Sequence, residues 1–71
     1  MNKFAKMALE GAISELKARA IDYGSAKTRM QLEDSYLTYE DLAIETMQAK
    51  ARYDEAEARV NLIIEEIANA H

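Results

Sequence analysis

The sequence predicts an all-α fold, an antiparallel helical hairpin of two long helices that we expect to dimerise into a four-helix bundle. Three observations predict it. The chain has 71 residues, with no proline, no cysteine and only two glycines, so it lacks the turn formers that a sheet would need. Good helix formers such as Ala, Glu, Leu and Lys dominate. Apolar residues recur at coiled-coil spacing in both halves, on either side of one turn signal.

That turn signal lies near the middle of the chain. Thr38 is a good N-cap, and Asp41 three residues later is placed to reach back to it as a short capping box. Leu37 and Leu42 have the spacing of a hydrophobic staple around this cap. We therefore expect a turn at residues 35–38 and a helix over about residues 39–70.

The second helix carries a continuous apolar seam. Its members alternate in steps of four and three, which is the spacing of a heptad core. We predict that this seam packs on the first helix. Its residues are Leu42, Thr46, Ala49, Tyr53, Ala56, Val60, Ile63 and Ile67.

The first half shows a similar pattern that is interrupted at Lys27 and at Asp34. Two interpretations follow: one helix over about residues 2–34 that tolerates Gly24, or a helix that ends at Gly24 and a short helix over residues 26–34. We favour the single helix, because it matches the second helix in length. The predicted seam is Leu9, Ile13, Leu16, Ala20 and Tyr23, with Ala5 and Ala12 alongside.

Apolar residues remain on both helices after the seams are assigned. They lie away from the seam on the first helix and nearly opposite it on the second. A second apolar surface implies a second copy or another protein to cover it, unless the residues are simply exposed. The predicted partner or oligomer interface consists of Phe4, Met7, Ile21, Ile44, Met47, Ala51, Ala58 and Leu62, and Leu32 and Tyr36 also lie away from the seam.

The inventory of reactive side chains argues against an enzyme. The sequence has no cysteine, and its one histidine is His71 at the end of the chain. A nucleophile–base pair needs a histidine, a cysteine or a suitably placed lysine in a cleft. A di-iron site needs a Glu-x-x-His motif on each of two helices, and the sequence has none. We expect no catalytic residue, no metal site and no cofactor.

Charge is divided unevenly between the halves. Residues 1–37 carry six Lys and Arg against five Asp and Glu, a net of +1, and residues 38–71 carry three against eight, a net of −5. An acidic half repels nucleic acid and anionic lipid, which argues against a membrane-surface role. Nucleic-acid binding stays as the alternative function, for a dimer that would use the cations near one aromatic residue. That possible patch is Lys17, Arg19, Tyr23, Lys27 and Arg29.

The function that this sequence favours is protein binding. A chain this short has a small core, and without disulfides or a metal it usually needs a second subunit or a partner. We expect one helical domain, a small cytoplasmic adaptor, co-chaperone or inhibitor that docks an apolar helix face on a larger protein. No segment has the pattern of a signal peptide or the length of a membrane span.

Overall fold

The computed structural model describes residues 2–33 and 36–70, apart from the side chains of residues 36 and 37. Two helices, α1 (Lys3–Leu32) and α2 (Tyr36–Asn69), pack against each other as a hairpin. The molecule measures 54 × 15 × 12 Å, which is the length of the helices and the width of two. The predicted all-helical hairpin is confirmed.

Helix α1 begins at an asparagine cap. The Oδ1 atom of Asn2 accepts a hydrogen bond of 2.7 Å from the backbone N–H of Ala5, and Asn is among the best N-cap residues. The helix then runs without a break through Gly24, which does not adopt a positive φ. The single long helix is therefore the correct interpretation. It ends at Leu32, and Glu33 is extended.

The start of α2 corrects the prediction for the turn. This helix begins at Tyr36, so Thr38 lies inside it and is not its N-cap. A cap is worth only about 1 kcal/mol, and no glycine or proline prevents the helix from extending backwards by one turn. The proposed staple depends on the side chain of Leu37, which lies outside the described residues, as does that of Tyr36.

The predicted seam of α2 is confirmed. Thr46, Ala49, Ala56 and Val60 are buried, and the other four predicted members are partly buried. Among the described residues, Thr46 is the buried one with a polar side chain, and its hydroxyl donates a hydrogen bond of 2.7 Å to the carbonyl of Leu42. Its burial therefore leaves no unsatisfied donor.

The predicted seam of α1 is wrong at two positions. Ile13 and Ala20 are exposed, whereas Ala12 is buried and Arg19 is partly buried. Moving the seam by one residue at these points removes the interruption at Lys27, because the seam then passes through the buried Ala26. The observed seam alternates in steps of four and three through Ala5, Leu9, Ala12, Leu16, Arg19, Tyr23, Ala26 and Met30.

The core between the helices is built from small side chains. Its buried apolar members are four alanines and one valine, and no large side chain of the described residues is fully buried. Small residues let the helix axes approach closely, but they bury little apolar area. The hairpin therefore has a thin core for a chain of its length. The buried apolar residues are Ala12, Ala26, Ala49, Ala56 and Val60.

Candidate interaction faces

Two contacts fix the register of the hairpin. The rings of Tyr23 and Tyr53 pack with centroids 6.0 Å apart and planes tilted by 36°. Nearer the turn, Nη2 of Arg29 donates to Oε1 of Glu45 at 2.6 Å. Later residues of α1 thus lie opposite earlier residues of α2, so the two helices are antiparallel.

One edge of the hairpin is charged, and we call it the charged edge. Arg19 lies beside the small Ala56, and its guanidinium reaches out to Glu15 at 2.9 Å and to Asp22 at 3.7 Å. This geometry explains how an arginine occupies a seam position, since its stem packs while its charge stays in contact with water. The ionic side chains on this edge are Glu15, Arg19, Asp22, Arg29, Glu45, Arg52 and Arg59, and Glu55 lies at its border with the outer side of α2.

The structure divides the predicted nucleic-acid patch. Arg19 and Arg29 lie on the charged edge and pair with carboxylates, and Tyr23 packs on Tyr53. Lys17 and Lys27 are exposed, but helical spacing puts them toward the other edge of α1. These five residues therefore form no continuous basic surface with a free aromatic ring.

The opposite edge mixes apolar and charged residues. Ile13 and Ile64, both close to the seam, are 36% and 48% exposed. Lys27 and Lys50 lie farther along this edge and are exposed. Both edges of the hairpin therefore carry ionic side chains, and neither forms an uninterrupted apolar surface.

An uncharged stripe runs along the outer side of α1, between Lys3, Glu10 and Lys17 on one flank and the charged edge on the other. Phe4, Met7, Ile21 and Leu32 are 81%, 58%, 71% and 76% exposed. The residues between them are small or hydroxylic, and all of them alternate in steps of three and four. This α1 stripe consists of Phe4, Met7, Gly11, Ser14, Ala18, Ile21, Ser25, Thr28 and Leu32.

The outer face of α2 combines apolar and acidic residues, and we call it the α2 face. Ile44 and Met47 are 51% and 72% exposed and lie next to the exposed Ala51, and Leu62 lies near the exposed Ala58. Every charged residue on this side of the helix is negative, which follows from helical spacing. Those acids are Glu40, Asp41, Asp54, Glu55 and Glu65.

Two titrating groups on α2 are coupled to neighbouring carboxylates. The pKa of Tyr53 is raised above its ordinary value of 10.0, mainly by a hydrogen bond with Glu57 and secondly by the negative charge of that residue. A hydrogen bond with Asp54, at 3.1 Å from Nζ, and its charge raise the pKa of Lys50. Both shifts favour the protonated forms in the folded hairpin.

The predicted interface residues are accessible at the surface. All eight, from Phe4 to Leu62, are exposed, and they divide between the α1 stripe and the α2 face. Sequence reasoning missed the continuity of the α1 stripe, because it did not include Gly11, Ser14, Ala18, Ser25 or Thr28. The signal that would have found them is the absence of charge at every third and fourth residue.

The described residues offer few other kinds of site. No cluster of three or more His, Cys, Asp or Glu among them could hold a metal ion. Neither described helix is apolar over a length that would cross a membrane. The recesses lie along the groove between the helices, and ionic side chains line two of them.

Comparison with known proteins found no match. No protein-family model, no curated protein and no solved structure is similar to this chain at a significant level. The two outer faces of the hairpin are therefore the features that bear on its function.

The exposed area of the hairpin is large for its mass. The accessible surface is 5569 Å² for a chain of 8.0 kDa. A compact monomer of this mass exposes about 4,450 Å². The hairpin thus exposes about 1,100 Å² more than a typical monomer, and its outer faces contain much of the exposed apolar part.

Proposed function

We propose that this chain is a protein–protein interaction module, an adaptor, co-chaperone or inhibitor that docks its α2 face on a larger protein. The observation that carries the proposal is the pairing of exposed Ile44 and Met47 with charges of a single sign on that face. Apolar anchors supply binding energy, and charges of one sign select the partner surface and speed the encounter.

The chemistry of the α2 face defines the partner. Ile44, Met47 and Ala51 follow one another at helical spacing, as do the anchors of helix-in-groove complexes. Four carboxylates lie near these anchors on the same side of the helix, namely Glu40, Asp41, Asp54 and Glu55, and Glu65 lies near Leu62. The complementary surface is an apolar groove rimmed by lysine and arginine side chains.

The apolar side chains of the α2 face supply part of the energy that binding requires. Full burial of one large apolar side chain stabilises a complex by about 1.5–3 kcal/mol, and the α2 face offers three: Ile44, Met47 and Leu62. Methionine adapts to irregular surfaces because it is flexible and unbranched. Docking would act by covering a site on the partner or by bridging it to another molecule, neither of which needs catalytic groups.

A second part of the proposal is that two hairpins associate into a four-helix assembly. The excess surface of about 1,100 Å² per chain and the thin alanine core support it, because a chain of this size commonly gains stability from a second subunit. Self-association and docking can coexist, since the hairpin has two outer faces.

An affinity capture experiment tests the docking proposal. We expect the tagged chain to retain a specific protein from the cells that produce it, and the double variant Ile44→Asp/Leu62→Asp to lose it. The retained protein is identified by mass spectrometry, purified and titrated directly. Raising the salt concentration should weaken the complex, because the acidic border contributes electrostatically.

A control variant with the same added charge shows whether a loss of binding comes from the altered α2 face or from the charge alone. Gly24→Asp/Gln31→Asp adds the same two negative charges at exposed positions of α1, and it should bind as the parent does. If the Ile44/Leu62 variant binds the purified partner as tightly as the control, the α2 face is not the docking surface.

A further inference from the structure

We infer that the α1 stripe joins two copies of this chain, with their α1 helices antiparallel and centred on Ala18. This inference rests on the self-association part of the proposed function, and it specifies which surface is used and in which orientation. It leaves the α2 face of each copy free for the larger protein.

The area of the hairpin identifies a second copy as the occupant. A stable interface buries about 800 Å² on each partner, and the hairpin exposes about 1,100 Å² more than a compact monomer of its mass. Pairing through one helix face would therefore remove most of this excess, leaving about 300 Å² per chain. A second copy presents the same stripe, so no other protein is needed to cover it.

The composition of the stripe is that of a helix–helix seam. Its nine positions alternate in steps of three and four, and none of them is charged. That spacing is the heptad pattern that keeps one face of a helix toward a partner helix. Ionic residues, such as Lys17 and Asp22, begin immediately beside it, as they do on the flanks of a coiled-coil core.

An antiparallel arrangement matches the sizes of the side chains along the seam. Most layers then combine a large residue with a small one, or two small ones near the centre, whereas a parallel arrangement stacks each residue on itself. Interdigitation of unequal sizes fills the space between helices more evenly. The layers would be Phe4 with Leu32, Met7 with Thr28, Gly11 with Ser25, Ser14 with Ile21, and Ala18 with Ala18 of the second copy.

Gly11 supports a close approach at this face. A methyl group added at Gly11 would meet nothing within 4 Å in the hairpin, so packing within one chain does not require a glycine there. Glycine inside a helix costs about 1 kcal/mol relative to alanine. Opposite Ser25 of the second copy, Gly11 would let the two helix axes approach closely.

The resulting assembly is a row of four helices. The α1 stripe lies opposite the seam with α2, so the order across the dimer is α2, α1, α1 and α2. A square bundle would instead bury one edge of each hairpin, and the charged edge holds Arg29 and Glu45 while the other holds Lys27 and Lys50. Burying those charges would cost more than burying the uncharged stripe.

The masses of the parent and of two matched variants in solution test which surface forms the dimer. Light scattering after size exclusion should give twice 8.0 kDa for the parent. Ile21→Glu puts a charge into the stripe and should weaken the dimer about 100-fold, whereas Ile44→Glu on the α2 face should leave it intact. Both residues are exposed in the hairpin, so both variants should keep their helicity by circular dichroism.

The outcomes distinguish the two proposals. A monomeric parent refutes self-association altogether, and with it this inference, but leaves docking through the α2 face intact. A dimeric parent whose mass is unchanged by Ile21→Glu, or lowered by Ile44→Glu, keeps self-association and overturns the assignment to the α1 stripe.

Single cysteines test the orientation, because the chain has none of its own. On oxidation of an equimolar mixture, Met7→Cys and Thr28→Cys should form the mixed disulfide, since the two positions face each other in the antiparallel dimer. Met7→Cys should not cross-link to itself, because its two copies would be about 31 Å apart. A Met7→Cys homodimer, or no mixed disulfide, would overturn the antiparallel arrangement.

Discussion

The observed seam of α1 passes through Ala12, whereas the predicted seam passes through Ala20. Substituting each alanine in turn therefore tests which seam is correct. Ala12 is 6% exposed and faces α2, whereas Ala20 is exposed on the edge. In Ala12→Asp the carboxylate enters the seam, and burial of an unpaired polar group costs about 2–3 kcal/mol. In Ala20→Asp the substitution costs only the difference in helix propensity, about 0.5 kcal/mol.

The expected difference is large compared with the stability of the hairpin. A core of this size supplies about 3–5 kcal/mol, and 1 kcal/mol changes the melting temperature of such a domain by about 4–8 °C. Ala12→Asp should therefore melt about 8–24 °C below the parent, and Ala20→Asp within a few degrees of it.

Thermal melts followed by circular dichroism at 222 nm provide the assay. The three proteins are compared at equal concentration, because association makes the melting temperature depend on concentration. Equal melting of the two variants, or a lower melting temperature for Ala20→Asp, would refute the seam through Ala12 and restore the one through Ile13 and Ala20.

Three further perturbations test other contacts. Ile63→Asp places a charge in the α2 seam and should unfold the hairpin, and unchanged helicity and melting would contradict the seam. Arg29→Glu should lower the stability of the hairpin by about 0.2–1 kcal/mol, since the pair with Glu45 is about half exposed. The exchange Arg29→Glu/Glu45→Arg should recover most of that stability. A double-mutant cycle that shows no coupling would argue against the pair. Because the pKa of Tyr53 is raised in the folded chain, its stabilising effect is present below about pH 10 and is lost as the pH rises through the folded pKa. Melts at pH 8 and pH 11 should therefore differ less in Tyr53→Phe than in the parent, and an equal difference in both would exclude this cause.

The sequence was sufficient for the two helices and for the seam of α2. Each of the eight predicted α2 positions is buried or partly buried, because this apolar line keeps its spacing of four and three without interruption. The continuity of α1 through Gly24 also followed from the matching lengths of the helices.

The phase of α1 could not be derived in the same way. Ala12 and Ile13 are both apolar neighbours, and hydrophobicity alone favours the larger residue. In the structure Ala12 lies in the closely packed seam, where the buried residues are small, and Arg19 lies beside the small Ala56.

The two outer faces of the hairpin point in opposite directions across a body only 15 Å wide, and this arrangement affects how binding at one face influences the other. Thermodynamic coupling between them can arise through the folding equilibrium, because any ligand of the folded form stabilises both helices. At a stability of about 3 kcal/mol only about one molecule in 160 is unfolded, so the first ligand improves the affinity of the second by less than about 1%. The faces are therefore energetically independent near room temperature, and cooperativity emerges only when heat or a substitution brings the hairpin close to its melting point.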